Sequence, residues 1–164
     1  MARIMIGLLG LCTMASAADT DFLKNAAESG LFEVKLGELA QTNGSSQFVK
    51  DFGQRMVTDH AAMNQAVQDL AGKQNIVLPS DISPDEKSTY GALAQKTGDD
   101  FDKAYAAYMV RNHEADLALF QREADSGTDP DAKTLAAKAI VEIKEHLRLA
   151  RQNARQLGLH NPPN

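Results

Sequence analysis

Apolar residues recur along this chain at three- and four-residue intervals, and rarely alternate, through four long stretches divided by two short breaks and one long connection. That spacing gives a helix one apolar face, whereas a half-buried strand needs alternation. Alanine is abundant and Trp is absent, so the fold class is all-α. The first helix is predicted from about Thr20 to Thr42, closed by Asn43-Gly44, residue types that tolerate a left-handed helix end. Ser45 or Ser46 can cap a second helix that runs to about Lys73. The third is predicted from about Asp99 to Ser126, stopped by Gly127, and the fourth from the cap Asp129 and Pro130 to about Leu157, before Gly158. No internal repeat is evident.

The two short breaks force antiparallel pairs, 1 with 2 and 3 with 4. Between the pairs lies a long weakly patterned connection, Gln74 to Gly98, inside which Ser83-Pro84-Asp85-Glu86 is a well-formed start for a short helix to about Lys96. A link of that length can travel the roughly 40 Å of a long helix, and a simple return needs far less. The expected architecture is a ferritin-like four-helix bundle with a long crossover containing a short extra helix. An up-and-down bundle is the alternative.

The N-terminus has the features of a secretory signal peptide over residues 1–17: a positive charge at Arg3, a short apolar run from Ile4 to Met14, and the small residues Ala15-Ser16-Ala17. The run falls short of the roughly 20 apolar residues of a membrane span, and no transmembrane segment is expected after signal cleavage. Cys12 follows the bulky Leu11, which argues against lipidation, and it is the chain's one cysteine. A mature bundle domain of residues 18–158, with a flexible tail at 159–164, would therefore have no thiol chemistry and no disulfide. The expected setting is periplasmic or secreted. A net charge of −5 with scattered Lys and Arg gives no basic stripe for a phosphate backbone, so nucleic acid is not expected as a partner. Nothing in the sequence points to a particular protein partner.

Three of the four histidines fall one per long helix, in phase with apolar residues. His60 shares its face with Val49, Met56 and Val67, His113 with Ala106, Met109 and Phe120, and His146 with Ala139, Ile143 and Ala150. Glu33 lies likewise on the first helix, with Phe22, Ala26 and Ala40. With a ferritin-like crossover their depths along the bundle come to roughly 16 Å for Glu33, 24 Å for His60, 21 Å for His113 and 15 Å for His146. Side chains from facing helices can bridge that spread. Imidazoles and a carboxylate are ligands for zinc, copper or iron, which makes Glu33, His60, His113 and His146 a candidate site for one transition-metal ion. Glu142, one turn before His146, is a further ligand or a partner to one, and Asp116 is a weaker candidate. Asp59 points about 100° from His60 and reads as a surface or helix-contact residue. Met56, Met63 and Met109 read as core packing, and His160 falls in the tail.

The same residues permit a second reading, in which the histidines bond to Glu33, Glu142 or each other as a metal-free network that fixes helix register. No Gly-rich phosphate loop, Gly-x-Ser-x-Gly elbow or His-Glu-x-x-His pair occurs, and no catalytic residue is assigned.

The chain resembles the exported bacterial proteins of domain-of-unknown-function family 4142. The resemblance rests on Gly30-Leu31-Phe32-Glu33-Val34-Lys35-Leu36-Gly37, Met56-Val57-Thr58-Asp59-His60, Phe101-Asp102-Lys103-Ala104-Tyr105 with His113, and His146-Leu147. It implies a ferritin-like bundle and an envelope setting, and no established reaction. Val141 stands where the family pattern often has a proline, which predicts a straighter fourth helix. Neither His60 nor His113 belongs to a Glu-x-x-His unit, which argues against a di-iron oxidase or oxygenase. Two functional classes remain: an exported protein holding one metal ion in a structural or sensing role, and a metal-free envelope or stress-related protein acting by contacts.

Overall fold

The computed structural model describes residues 16–159. Most of the expected signal peptide, Cys12 and His160 lie outside the described residues. Five helices follow one another: α1 Ala17–Asn43, α2 Gln47–Lys73, α3 Pro84–Ala94, α4 Gly98–Ser126 and α5 Pro130–Gln156. Four of them form the bundle, and α3 lies in the crossover, as the sequence predicts. The helix α1 starts three residues earlier than expected. Ser16 and Asp19 close a capping box there, each side chain bonded to the other's backbone N–H.

Contacts between hairpins fix the topology. Thr128, beyond the end of α4, donates to Asp19 at the start of α1, and Asn153 near the end of α5 donates to the carbonyl of Phe48 at the start of α2. Hence α1 runs antiparallel to α4, and α2 antiparallel to α5. The crossover must then run the length of the bundle, which is the ferritin-like connection.

The breaks between helices work differently from their sequence reading. Gly44 and Gly127 both have negative φ, so neither closes its helix in the left-handed conformation. They are needed for close approach. A Cβ at Gly44 would stand 2.6 Å from the carbonyl oxygen of Ala40, and one at Gly127 would stand 2.3 Å from Glu123 Oε1. Ser46 occupies the cap position of α2, but its side chain does not cap that helix. The Asp102 carboxylate, buried at the start of α4, instead ties down the loop just ahead of α2, accepting from the backbone N–H groups of Ser45 and Ser46 and from both hydroxyls. An ionised acceptor with several donors is a strong tie. Asp102→Ala is expected to lower stability by about 2–3 kcal/mol, read as a shift in the urea midpoint with unchanged slope. A loss under about 1 kcal/mol would show that water replaces the carboxylate at little cost.

The two hairpins are near-equivalent. The shift that carries Gln47 to Pro130 and Lys73 to Gln156 also carries Asp19 to Asp102, Phe22 to Tyr105, Glu33 to Asp116, Gly44 to Gly127 and Asp59 to Glu142. Buried positions coincide under it, as Ala26 with Met109 and Val67 with Ala150. The bundle is thus a pseudo-two-fold pair of helix hairpins, although no repeat is evident from residue identities.

The core divides into two apolar clusters. One gathers Phe32, Leu36, Phe52, Met56, Tyr105 and Met109, and the other gathers Phe22, Leu23, Val67, Phe120, Ile140 and Ile143. A layer of buried polar residues lies between them.

Candidate metal centre

Each long helix contributes one buried residue to that layer: Glu33 from α1, His60 from α2, His113 from α4 and His146 from α5. The imidazole rings stand 5.1 to 5.8 Å apart between centroids. One nitrogen from each lies within 4.8 Å of the other two. The three histidines therefore meet, and Glu33 lies against two of them, His60 and His113.

Hydrogen bonding sets the role of each nitrogen. His60 Nδ1 lies 3.1 Å from the carbonyl of Met56 and His113 Nδ1 lies 2.9 Å from that of Met109. A carbonyl only accepts, so Nδ1 carries the proton in both rings. Nε2 is thereby aimed inward. His60 Nε2 stands 2.7 Å from Glu33 Oε2. His113 Nε2 stands 3.3 Å from Glu33 Oε1, without hydrogen-bond alignment, and is buried and unpartnered. His146 is turned differently. Its Nε2 donates to Asp59 Oδ2 at 2.9 Å, and its Nδ1 is buried with no hydrogen bond. Anchoring one ring nitrogen while freeing the other is how metal-ligating histidines are oriented.

Charge in the layer is uneven. Burial opposes ionisation of Glu33 and His60, yet their pairing outweighs it. The Glu33 carboxyl is held down to about 2 by the charges of His60 and then His113, and His60 is pushed up to about 9 by Glu33. Burial lowers His113, and it takes His146 down to about 4, with the positive charge of His60 adding to both shifts. At neutral pH the centre holds one ion pair and two neutral imidazoles.

Beside it runs a ladder on one edge of α4. The Tyr108 hydroxyl donates to Asn112 Oδ1, and Asn112 Nδ2 donates to both Glu33 Oε1 at 3.0 Å and Asp116 Oδ2 at 2.9 Å. Ser29 donates to the other Asp116 oxygen. Burial, and then the negative charge of Glu33, raise the Asp116 carboxyl well above its ordinary range. Asp116 supports Glu33 through Asn112. The sequence reading passes over Asn112, although the four-residue spacing of Tyr108, Asn112 and Asp116 marks one helix edge.

Asp59 takes a more specific part than its sequence reading gives. It accepts from His146 across the α2–α5 seam and from Arg55 on its own helix. The 100° turn from His60 that suggests a surface position brings it to α5. Glu142 does not join the central four. It is half-buried, and with Asp59 and His146 it forms a second group whose potential ligand atoms lie within 4.8 Å of one another. Burial, and then the charge of Asp59, raise the Glu142 carboxyl. Met56 and Met109 pack in the core as expected, and their carbonyls also orient His60 and His113.

Among the described residues, no helix is long and apolar enough to cross a membrane. Two solved structures share the fold. A DUF305 fragment from Deinococcus radiodurans matches with a TM-score of 0.76 at 14% identity, covering 88% of this chain and 97% of that one. A DUF305 protein from Streptomyces coelicolor matches with a TM-score of 0.74 at 13% identity, covering 86% and 92%. No curated protein matches the chain. The family described as "Domain of unknown function (DUF4142)" matches residues 12–152, most of the bundle and all four residues of the central cluster, and the chain belongs to that family.

Proposed function

We propose that this is an exported protein whose bundle holds one transition-metal ion in its core through Glu33, His60, His113 and His146, in a structural or sensing role. The observation that carries the reading is the set of nitrogens without hydrogen bonds at the centre. His113 Nε2 and His146 Nδ1 are buried with no partner, a costly state that an ion would relieve. Ligand atoms about 2.0–2.2 Å from one zinc ion stand roughly 3 Å apart. The separations of Glu33 from His60 (2.7 Å) and from His113 (3.3 Å) fit that span. A bound ion would take the place of the proton that His60 and Glu33 now share. Three imidazoles and a carboxylate suit zinc, copper or iron, and such an ion would pin all four helices together.

Export rests on residues 1–17, read as a signal, which leaves a mature domain of residues 18–158. Cleavage after Ala17 removes Ser16 from the α1 cap but keeps Asp19 on Thr128. The net charge of −5 supports no role with nucleic acid.

The test is elemental analysis of untagged protein purified without chelators, followed by melting after chelation and after adding zinc or Cu(II). Wild type should retain metal through desalting and melt higher when reloaded. His113→Ala should retain one ion fewer per chain. An ion in hundredfold excess over its dissociation constant adds about 2.7 kcal/mol. No metal in either protein and unchanged melting would favour the second reading, a metal-free envelope protein whose polar layer fixes helix register. The closed Glu33–His60 pair is the observation on that side.

A further inference from the structure

His146 faces two groups at once. Its Nε2 lies 2.9 Å from Asp59 Oδ2, close to the Glu142 carboxylate, while its ring stands 5.1 Å from that of His60 and 5.5 Å from that of His113. The two nitrogens of an imidazole point away from each other. With Nε2 turned to Asp59, the buried Nδ1 is the one left for the centre. We propose that Asp59, Glu142 and His146 form a second divalent-metal site, and that His146 bridges the two ions as an imidazolate. This rests on the central ion of the proposed function.

Several observations converge on the second site. The donor set is mixed, one imidazole with two carboxylates, and those ligands suit the same first-row metals as the centre. The Asp59–His146 separation fits two ligands of one ion, so the metal takes the position of the Nε2 proton. Asp59 and Glu142 are also equivalent positions of the two hairpins, brought face to face across the α2–α5 seam. Arg55 bonds to Asp59, but Glu142 has no ion pair among the described residues, so one guanidinium serves the two carboxylates. A bound cation balances the other. Access is open, because Glu142 lines a groove of about 520 Å³ along α2 and α5 that also carries Asp69 and Asp131 together with Lys73 and Lys138.

Bridging has a proton balance. Neutral His146 carries one ring proton, on Nε2. When a metal binds each nitrogen, that proton leaves to solvent and the ring becomes the anion that links the ions. The pair is then coupled electronically through the ring.

The experiment is Cu(II) titration of the chelator-treated full chain, with bound copper counted after desalting and followed by electron paramagnetic resonance. Wild type should bind two Cu(II) per chain, with the signal of the first ion lost as the second binds. Asp59→Asn/Glu142→Gln should bind one, with its signal intact at saturation, and thermal melting of the metal-free variant checks that it folds. Wild type binding one Cu(II), unchanged in the double variant, would overturn the second site and leave the central one standing. No bound Cu(II) in wild type would overturn both. Two uncoupled ions in the double variant would also overturn the proposal, by placing the second ion elsewhere.

Discussion

Glu33→Ala is expected to lower the melting temperature of the metal-free protein by about 10 °C, corresponding to roughly 3 kcal/mol in a domain of this size. Glu33 is buried, and its two oxygens face His60 at 2.7 Å and His113 at 3.3 Å, with Asn112 donating to Oε1. Removing it leaves His60 Nε2 without an acceptor and one donor of Asn112 unfilled. His60 then sheds its proton, which limits the loss, but the desolvated groups stay unpaired. Replacing both partners with apolar residues avoids that penalty. Glu33→Leu/His60→Met should therefore recover much of the loss, a non-additivity that a double-mutant cycle measures. Additive losses would show that the pair is not coupled in the folded chain.

That pair is legible in the sequence alone. Glu33 and His60 lie in phase with apolar residues that must be buried, and rise per residue along the first hairpin puts them within roughly 8 Å in depth whatever the crossover. The helices are legible for the same reason: α2 and α5 end within a residue or so of their predicted limits, because caps and apolar phase agree there. Contacts made across helices are not. Asp59 points away from the core stripe of its own helix, and only the position of α5 shows that His146 meets it. Nothing in the phase of Asp102 near the start of α4 shows that its carboxylate ties down the loop ahead of α2. Gly44 and Gly127 read as left-handed stops because that is what a glycine after a helix most often is, while the crowding that requires them comes from Ala40, Asp102 and Glu123.

The near-symmetry is hidden for a related reason. What the hairpins share is a burial pattern and a few ties at the ends, Asp19 with Asp102 and Gly44 with Gly127, which a comparison of residue identities barely registers. The histidines break the pattern. The partners of His60, His113 and His146 under the shift are Ile143, Gly30 and Met63. Carboxylates keep it, as Glu33 with Asp116 and Asp59 with Glu142. The scaffold thus supplies acidic positions in pairs, and histidines placed on three helices turn one end of that arrangement into a nitrogen-rich centre.

Stability of the metal-free protein should fall as pH rises from about 6.5 to 9, and the centre supplies the reason. The folded pKa of His60 is about 9, above its ordinary 6.5, so its contribution is complete below 6.5 and is lost as pH climbs through 9. Asp116, held above its ordinary range, and Glu123, raised to about 7, act in the same direction, because the folded chain keeps protons that the unfolded chain has released. A difference of one proton is worth about 1.4 kcal/mol per pH unit. Between about 4 and 6.5 the slopes oppose. His113 and His146 have lowered values, so the unfolded chain takes up protons that the folded chain refuses and stability drops on acidification. Asp116 and Glu123 offset that drop. Below 4.5 Glu33, held down to about 2, adds a further loss as it is protonated. The melting temperature should therefore change little across pH 5 to 6.5 and decline steadily on the alkaline side. In His60→Asn the alkaline decline should be shallower by about one proton's worth. A wild-type melting temperature that is level from pH 6.5 to 9, or an unchanged slope in His60→Asn, would mean that His60 is neutral in the folded protein and that Glu33 is balanced by another charge.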